Sequence, residues 1–441
     1  SAQARKGKPR RAGSAAKRRI RCTDSVVSGR MAVGRQGGYS DMGHDVSLFP
    51  CDAYDPDVLD SVMEKAALAA GFPDVEGLTV LVKPNLLNAS PPEKAVTTHP
   101  EFVAAAIRLL KRKGAARILV GDSPAWQRST LAAATAGFLA AAKREGVAWA
   151  DFKAGNPRTN LQGVAVQRFA MASVLDECDL VLNLPKLKTH RLMRYTGAVK
   201  NLFGLLPGTA KSGMHLRFPD KKRFGTMLVD LAGAVGPVFT IMDAIVAMEG
   251  EGPGSGTPRK LGLVLASKDV AALDWIAAGI IGYEAVSIPY LAEALGRTGR
   301  NVASPGIAVG PLSPDSVRVD DFDLIPAFGD KTTFMGKLPA SARSLIGQIS
   351  TSRPSFDPNR CAGCSGCVRI CPAHALALSK NAAGKHQIRI DDSACILCYC
   401  CHEICPVRAI SLRRILFRLP GRARKVDTSP MGSSGPAEKE G

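Results

Sequence analysis

Between residues 45 and 335, short apolar runs alternate with longer amphipathic stretches. Apolar runs of a few residues predict buried strands, and apolar residues repeating every three or four positions predict helices. The predicted strands cover residues 46–49, 79–82, 118–120, 180–184, 238–242 and 261–266. The predicted helices cover residues 56–70, 100–112, 129–142, 196–206, 223–235 and 269–281. This alternation predicts an α/β domain with a mainly parallel sheet and flanking helices.

Eight cysteines near the C-terminus repeat one spacing, Cys-x-x-Cys-x-x-Cys-x-x-x-Cys-Pro. In two-cluster ferredoxins, three cysteines of such a motif bind one four-iron cluster and the fourth binds the other cluster. The spacing therefore predicts two 4Fe–4S clusters. One would be held by Cys361, Cys364, Cys367 and Cys405, and the other by Cys395, Cys398, Cys401 and Cys371. Zinc ribbons separate two pairs of thiolates by a long gap, so the pattern favours iron–sulfur over zinc.

The two motifs are an internal repeat, because residues 361–378 align with residues 395–412. Together they resemble the bacterial two-cluster ferredoxins, which predicts a small α+β iron–sulfur domain over about 353–412. Cys400 lies beside Cys401 and offers a slipped register. The regular spacing selects Cys401 and leaves Cys400 as a spare thiol near a cluster.

The net charge of +19 is concentrated outside these two predicted domains, at 1–41 and 413–426. Such basic tails are typical of disordered, solvated arms, so no specific nucleic-acid partner is expected. The predicted organisation is a basic extension at 1–44, the α/β domain at 45–335, a linker at 336–352, the ferredoxin domain at 353–412 and a disordered tail at 413–441. No apolar run is long enough to span a membrane. Thiolates committed to iron indicate a reducing compartment, and a cytoplasmic protein is expected.

Polar side chains follow the predicted strands. Ligands of open α/β sheets bind outside the carboxyl ends of the strands, and lysines there favour a small anion. The candidate ligand-binding residues are Lys83, Asn85, Asp122, Lys186, Lys188, His190 and Asp243. Ser123, Ser267 and Asp269 follow strands as well, and Asp269 is expected to cap a helix. A solvated loop explains Lys186 and Lys188 equally well.

Motifs for nicotinamide, ATP, serine hydrolysis and zinc proteolysis are missing from the sequence. A prokaryotic family known as domain of unknown function 362 is instead resembled by the segments LVKPNLL (81–87), TTHPE (97–101), LNLPKLKTHRLMRYTGAVKNLFGLLPG (182–208), MEGEGPGSG (248–256) and residues 261–282. The resemblance spans about 45–335. Members are often fused to a two-cluster ferredoxin, so the resemblance implies an iron–sulfur protein without naming a reaction.

A shorter stretch is similar to the nickel-pincer lactate racemase family, through Gly197-x-x-Lys200, Pro207-Gly208 and His215. That similarity implies catalytic roles for Lys200, as the cofactor-carrying lysine, and for His215, in proton transfer. The alternative is that Lys200 is an exposed helix residue and His215 a loop histidine.

Three functions compete at this point. The leading hypothesis is an electron-transfer protein or oxidoreductase acting on a small anion, with a redox partner protein. The second is an acid/base enzyme of the isomerase or lyase type with structural clusters. The third is a maturation factor that delivers a metal or cluster.

Overall fold

The computed structural model describes residues 44–125, 127–326 and 351–415. Its strands β1–β16 are Val46–Pro50, Thr79–Pro84, Arg117–Val120, Ala148–Trp149, Ala154–Thr159, Arg168–Ala172, Leu180–Leu184, Lys186–His190, Arg194–Thr196, Val238–Glu249, Thr257–Ser267, Val309–Pro311, Thr351–Phe356, Leu376–Lys380, His386–Ile390 and Ile410–Ile415. Its helices α1–α11 are Pro56–Ala69, Pro100–Arg112, Ser129–Thr135, Phe138–Arg144, Ala198–Asn201, Ala210–Arg217, Lys221–Val235, Val270–Ile280, Leu291–Arg297, Gly366–Ile370 and Cys400–Glu403. The predicted extension, linker and tail lie almost entirely outside the described residues.

A ten-stranded mixed sheet organises the part of the first domain that the structure describes. Its main order is β12-β1-β11-β10-β7-β2-β3-β4, and β8 pairs with β10 and β9 beside this path. The pairs of β7, β2, β3 and β4 are parallel, whereas β11 runs antiparallel to both β1 and β10. The predicted fold class, a mainly parallel sheet with flanking helices, is confirmed.

Helices cover both faces of this sheet because its central strands are apolar on both sides. In β2, Val82 packs with Leu59 of α1 and Phe102 of α2, whereas Leu81 belongs to the opposite core that contains Phe224 of α7 and Leu291 of α9. Successive side chains of a strand point to opposite faces, so one strand feeds two cores. The sheet is therefore a rigid platform whose strand ends position the polar residues.

Two local predictions were wrong. The segment after β7 is not a loop, because Lys186–His190 forms β8, which pairs with β10 across an irregular register. The helix predicted over 129–142 is two helices, since Gly137 between them has a φ of 80°.

Fewer of the polar residues that follow strands lie at one edge of the sheet than the sequence predicts. Because β11 is antiparallel to β10, Ser267 ends at the opposite edge of the sheet. Asp269 there accepts hydrogen bonds from the N–H groups of Ala271 and Ala272, which confirms it as the N-cap of α8.

The C-terminal region is the expected small α+β domain. Its strands form two antiparallel pairs, β13 with β16 and β14 with β15. The two halves of the repeat adopt the same backbone. Ser365 and Tyr399, at equivalent positions before α10 and α11, have φ values of 57° and 62°. His374 and Arg408, after the fourth cysteine of each motif, have φ values of 51° and 50°.

Candidate functional site

Two small cavities lie within the C-terminal domain, and each is lined by one of the predicted ligand sets. Cys361, Cys364, Cys367 and Cys405 line the first, which we call the outer cysteine cavity. Cys371, Cys395, Cys398 and Cys401 line the second, the inner cysteine cavity, together with Cys400. Each cavity thus combines three thiols of one motif with the fourth thiol of the other.

The surroundings of these thiols suit a four-iron cluster. The N–H groups of Ala375 and Ala409 each donate to a cysteine sulfur, Cys371 Sγ and Cys405 Sγ, at 3.3 Å. Such N–H···S hydrogen bonds stabilise the negative charge on a thiolate sulfur that ligates a cluster. No three His, Cys, Asp or Glu side chains within the described ranges converge closely enough for a single metal ion.

A third cavity, of about 90 Å³, lies between the α/β domain and the C-terminal domain, and we call it the interdomain cavity. A cavity needs only roughly 10–15 Å³ by this measure to hold one water, so this cavity has room for a few waters or one small anion. Of the predicted residues, six line it: Asn85, Asp122, Lys188, His190, Lys200 and His215. The C-terminal domain contributes Ile370, Cys400, Glu403 and Ile404.

Two of the lysines that line this cavity, Lys188 and Lys200, come from β8 and α5. Lys188 is buried, and its Nζ donates to Asn85 Oδ1 at 2.6 Å and to the Val96 carbonyl at 2.8 Å. Burial, with the nearby Lys200 and Lys186, lowers the pKa of Lys188 to about 7. Burial also lowers the pKa of Lys200, although Glu403 opposes the shift. Among the described residues, Lys200 Nζ has no hydrogen-bond or ion-pair partner and lies 5.8 Å from the Phe203 ring centre.

His215 and Lys211, both from α6, line the same cavity. His215 is buried and stacks on Phe224 with ring centres 4.3 Å apart, and burial lowers its pKa to about 3. It is therefore a neutral helix residue, not the loop histidine of the alternative interpretation. Lys211 Nζ donates to the carbonyls of Ser123 and Leu206, both at 2.6 Å. Burial lowers the pKa of Lys211 to about 7.

His190 and Glu403, one from each domain, face each other in the cavity. His190 Nδ1 accepts the N–H groups of Leu192 and Met193 at 3.1 and 3.3 Å. The imidazole proton therefore lies on Nε2, which is 3.3 Å from Glu403 Oε1. Burial and Lys200 hold the pKa of His190 well below its usual value, so the ring is neutral. Glu403 Oε1 is itself buried and makes no hydrogen bond within the described residues.

The short helix that carries Lys200 is fixed from behind by Asp274. The Asp274 carboxylate accepts the N–H groups of Ala198 and Val199 at 2.6 and 2.9 Å. A Cβ at Gly197 would lie within 2.1 Å of Asp274 Oδ1, so glycine is required for this approach. Asp274 thereby positions α5 and directs Lys200 to the cavity.

Lys83 lies beneath the cavity and does not line it. It is completely buried, and its Nζ is 3.0 Å from Asp122 Oδ1. The other Asp122 oxygen accepts the Leu86 N–H at 2.8 Å. A Cβ at Gly204 would clash with both partners, so glycine permits this buried pair. The pair holds the loop after β2 in place.

Lys186 and Asp243, also candidate ligand-binding residues, lie apart from the interdomain cavity. Lys186 Nζ is 2.8 Å from Asp243 Oδ2 and 2.9 Å from the Tyr54 hydroxyl oxygen, and the pair is buried. The Tyr54 hydroxyl donates to Asp243 Oδ1 at 2.9 Å, and the His99 N–H donates to Asp243 Oδ2 at 3.0 Å. These groups satisfy one another and tie β8 to β10.

Sequence reasoning missed Glu403 and Lys211. A carboxylate between two ligand cysteines, in Cys-His-Glu-Ile-Cys, was a visible signal for Glu403, because the equivalent position of the first motif is Arg369. Nothing in the spacing of Lys211 pointed to the cavity, since it reaches there only through the packing of α6.

These observations define an iron–sulfur protein whose α/β domain forms a cavity against a ferredoxin-type domain. Sequence comparisons agree. The profile described as "Domain of unknown function (DUF362)" matches residues 80–279, and that described as "4Fe-4S dicluster domain" matches residues 360–409. The chain belongs to the DUF362 family.

A relative in Synechocystis sp., "Thylakoid-associated protein sll1697", is 36% identical over 249 residues, which cover 56% of this chain and 76% of that protein. A solved structure of a Thermotoga maritima protein shares 11% identity with a TM-score of 0.34, over 52% of this chain and 60% of that chain. A likeness that low carries no functional argument. No helix of the described residues is both long and apolar enough to cross a membrane.

Proposed function

We propose that this protein binds two 4Fe–4S clusters and uses them for redox chemistry on a small anion held in the interdomain cavity. The ligand sets are those that line the outer and inner cysteine cavities. Each bound cluster supplies one-electron transfer.

One observation carries the proposal. Cys400 lines both the inner cysteine cavity and the interdomain cavity, so its side chain forms part of the wall between them. Ile370 and Ile404 pack against Cys400 there, and Ile404 also lines the outer cysteine cavity. An anion beside Lys188 and Lys200 is therefore next to the inner ligand set, separated from it by no intervening element.

The residues that line the cavity have different roles in this proposal, namely anion binding and proton transfer. Lys188, Lys200 and Lys211 offer positive charge to a carboxylate or phosphate, and the Nε2–H of His190 offers a hydrogen bond. His215, neutral and stacked on Phe224, is placed to accept a proton at one ring nitrogen. The burial of Lys188, Lys211, His190 and His215 strengthens their interactions relative to water, and Lys200 is half-buried.

A second candidate is acid/base chemistry without electron transfer. The free Nζ of Lys200 and its lowered pKa favour it, because a neutral amine is a base and a nucleophile. The two candidates differ in whether the oxidation state of the clusters matters to the bound anion.

Potentiometry of the anaerobic holoprotein separates them. Formate, lactate and inorganic phosphate are suitable probes for a cavity of this size. Reduction adds negative charge, so a bound anion disfavours it, and we expect one of two potentials to shift negative with saturating anion while the other stays constant. Lys188→Gln is the matched variant and should remove the shift with both clusters loaded.

The redox proposal fails if no anion of the panel changes either potential while anion binding is still measurable by calorimetry. That result would favour the acid/base candidate.

A further inference from the structure

The two ligand sets face different surroundings, and the outer one faces solvent. Cys364 is the exposed member of the eight ligand cysteines, all of which lie within the described residues. Pro406 and Val407, which also line the outer cysteine cavity, are exposed as well. Electrons that enter from another protein have their shortest route here, whereas the inner set lies against the interdomain cavity.

An arginine-lined groove adjoins the outer cysteine cavity. Its volume is about 240 Å³, and it shares Phe356 and Ala409 with that cavity. Three arginines line it, namely Arg360, Arg408 and Arg413, against one carboxylate, Asp357. Asp357 Oδ1 accepts the Asn359 N–H at 2.9 Å and forms no ion pair with these arginines in the described part of the chain.

The charge of this face is specific to the first motif. Arg360 directly precedes Cys361, whereas Ala394 precedes Cys395. Asp357 and Asp391 are equivalent in the two motifs, and Asp392, which takes the place of Pro358, is already paired with Arg353 at 2.9 Å. An acidic surface would therefore be attracted more strongly to the outer motif than to the inner one.

We propose that the arginine-lined groove is the docking site of an acidic one-electron carrier protein, of the iron–sulfur or flavin class. This rests on the redox function proposed above and adds the partner's chemistry and entry point. One electron leaves the reduced carrier and reduces one oxidised four-iron cluster at the outer ligand set; no bond forms and no proton is required.

The test uses the holoprotein and an acidic plant-type ferredoxin as the probe. Binding of the oxidised probe is measured by calorimetry, and electron transfer by stopped-flow absorbance. Mixing is done in both directions, reduced probe with oxidised protein and the reverse, so that one direction is thermodynamically downhill.

The variant is Arg360→Glu/Arg413→Glu. Its control, Lys65→Glu/Lys143→Glu, changes the net charge equally at exposed lysines of α1 and α4. We expect the groove variant to weaken binding and slow electron transfer by on the order of tenfold or more at low salt, and the control to change either by less than about twofold. Raising the ionic strength should erase the difference.

Three results would overturn the docking site. The two variants could have equal effects, or the effect of the groove variant could be independent of salt. In the third, the groove variant loses binding to a short RNA duplex but keeps its affinity for the ferredoxin. Dithionite reduction and the anion-dependent potential shift are measured on the same variants. If these remain normal while docking is unaffected, the groove assignment is wrong and the redox function stands. If the anion shift is absent from the parent protein, the redox function itself fails.

Discussion

The two cysteine motifs have the same spacing and backbone but opposite surroundings. The first presents Cys364 and the arginine-lined groove to solvent, whereas the second places Cys400 and Glu403 in the wall of a buried cavity. Three substitutions account for most of this difference, since Gly366, Val368 and Arg369 of the first motif correspond to Cys400, His402 and Glu403 of the second. The spacing of the ligand cysteines thus defines what each motif binds. The residues between them define whether the motif lies against solvent or against the interdomain cavity.

The comparison has a functional consequence. Internal repeats often keep equivalent roles, whereas the two proposals above assign an external partner to one half and an internal ligand to the other. Arg408 also bonds across the domain boundary, donating to the Gly256 carbonyl at 3.0 Å. Across the same boundary, Cys400 and Glu403 of the inner motif share the interdomain cavity with Lys188 of β8 and Lys200 of α5.

The largest effects are expected when a single ligand cysteine is replaced by serine. Cys371→Ser should remove the inner cluster and Cys405→Ser the outer one, so each variant should retain about half of about eight iron atoms. Only Cys371→Ser should abolish the anion-dependent potential shift. Iron analysis and electron paramagnetic resonance under anaerobic conditions measure both effects.

Cys400→Ser is the control for that experiment and should retain all the iron, because its thiol lies outside the regular spacing. Loss of a cluster in Cys400→Ser, with Cys401→Ser unaffected, would show that the ligand register is shifted by one residue.

A second contrast concerns two lysines on one strand. Lys188→Gln should weaken anion binding by about tenfold or more, because a charge-assisted contact in a buried site is lost. Lys186→Gln should leave anion affinity nearly unchanged. It should lower the free energy of unfolding by about 3–5 kcal/mol, because it leaves the buried Asp243 carboxylate without its cationic partner. Calorimetric titration with phosphate and denaturant unfolding measure the two effects. Reversed outcomes would place the anion at Lys186.

The pH dependence provides a third test. Lys188 and Lys211 have pKa values of about 7 in the folded protein and ordinary ones, above 10, when unfolded. Above pH 7 the folded protein therefore binds fewer protons than the unfolded chain, and the free energy of unfolding should rise with pH, by up to about 1.4 kcal/mol per pH unit for each lysine.

Anion affinity should change in the opposite direction and fall as pH rises through 7, because the lysines lose their charge. The Lys188→Gln variant should show a smaller change in both quantities between pH 6 and pH 9. Parallel pH dependence of stability and affinity would contradict the assignment.

The sequence was sufficient for the fold class and for the iron–sulfur domain, because both depend on local periodicity and spacing. It also placed Asn85, Lys188 and His190 at one edge, as the ends of parallel strands require. It failed for Lys186, because the side chains of β8 alternate and the irregular pairing with β10 could not be anticipated. It failed for Lys211 because only the packing of α6 brings that amine to the cavity.

The smallest expected effect concerns the repeat-equivalent pair Glu403 and Arg369. Glu403 lowers the positive potential around Lys188 and Lys200, and its buried Oε1 competes with any anion in the cavity. Glu403→Gln should therefore tighten phosphate binding by a few fold, on the order of 1 kcal/mol. Arg369→Gln, at the exposed equivalent position, should leave the affinity unchanged while it disturbs the hydrogen bond to the Cys364 carbonyl. Calorimetric titration with iron content matched between the variants measures this difference. Weaker phosphate binding in Glu403→Gln would mean that the carboxyl group holds the ligand through a proton of its own, and the cavity would then select a neutral or partly protonated molecule.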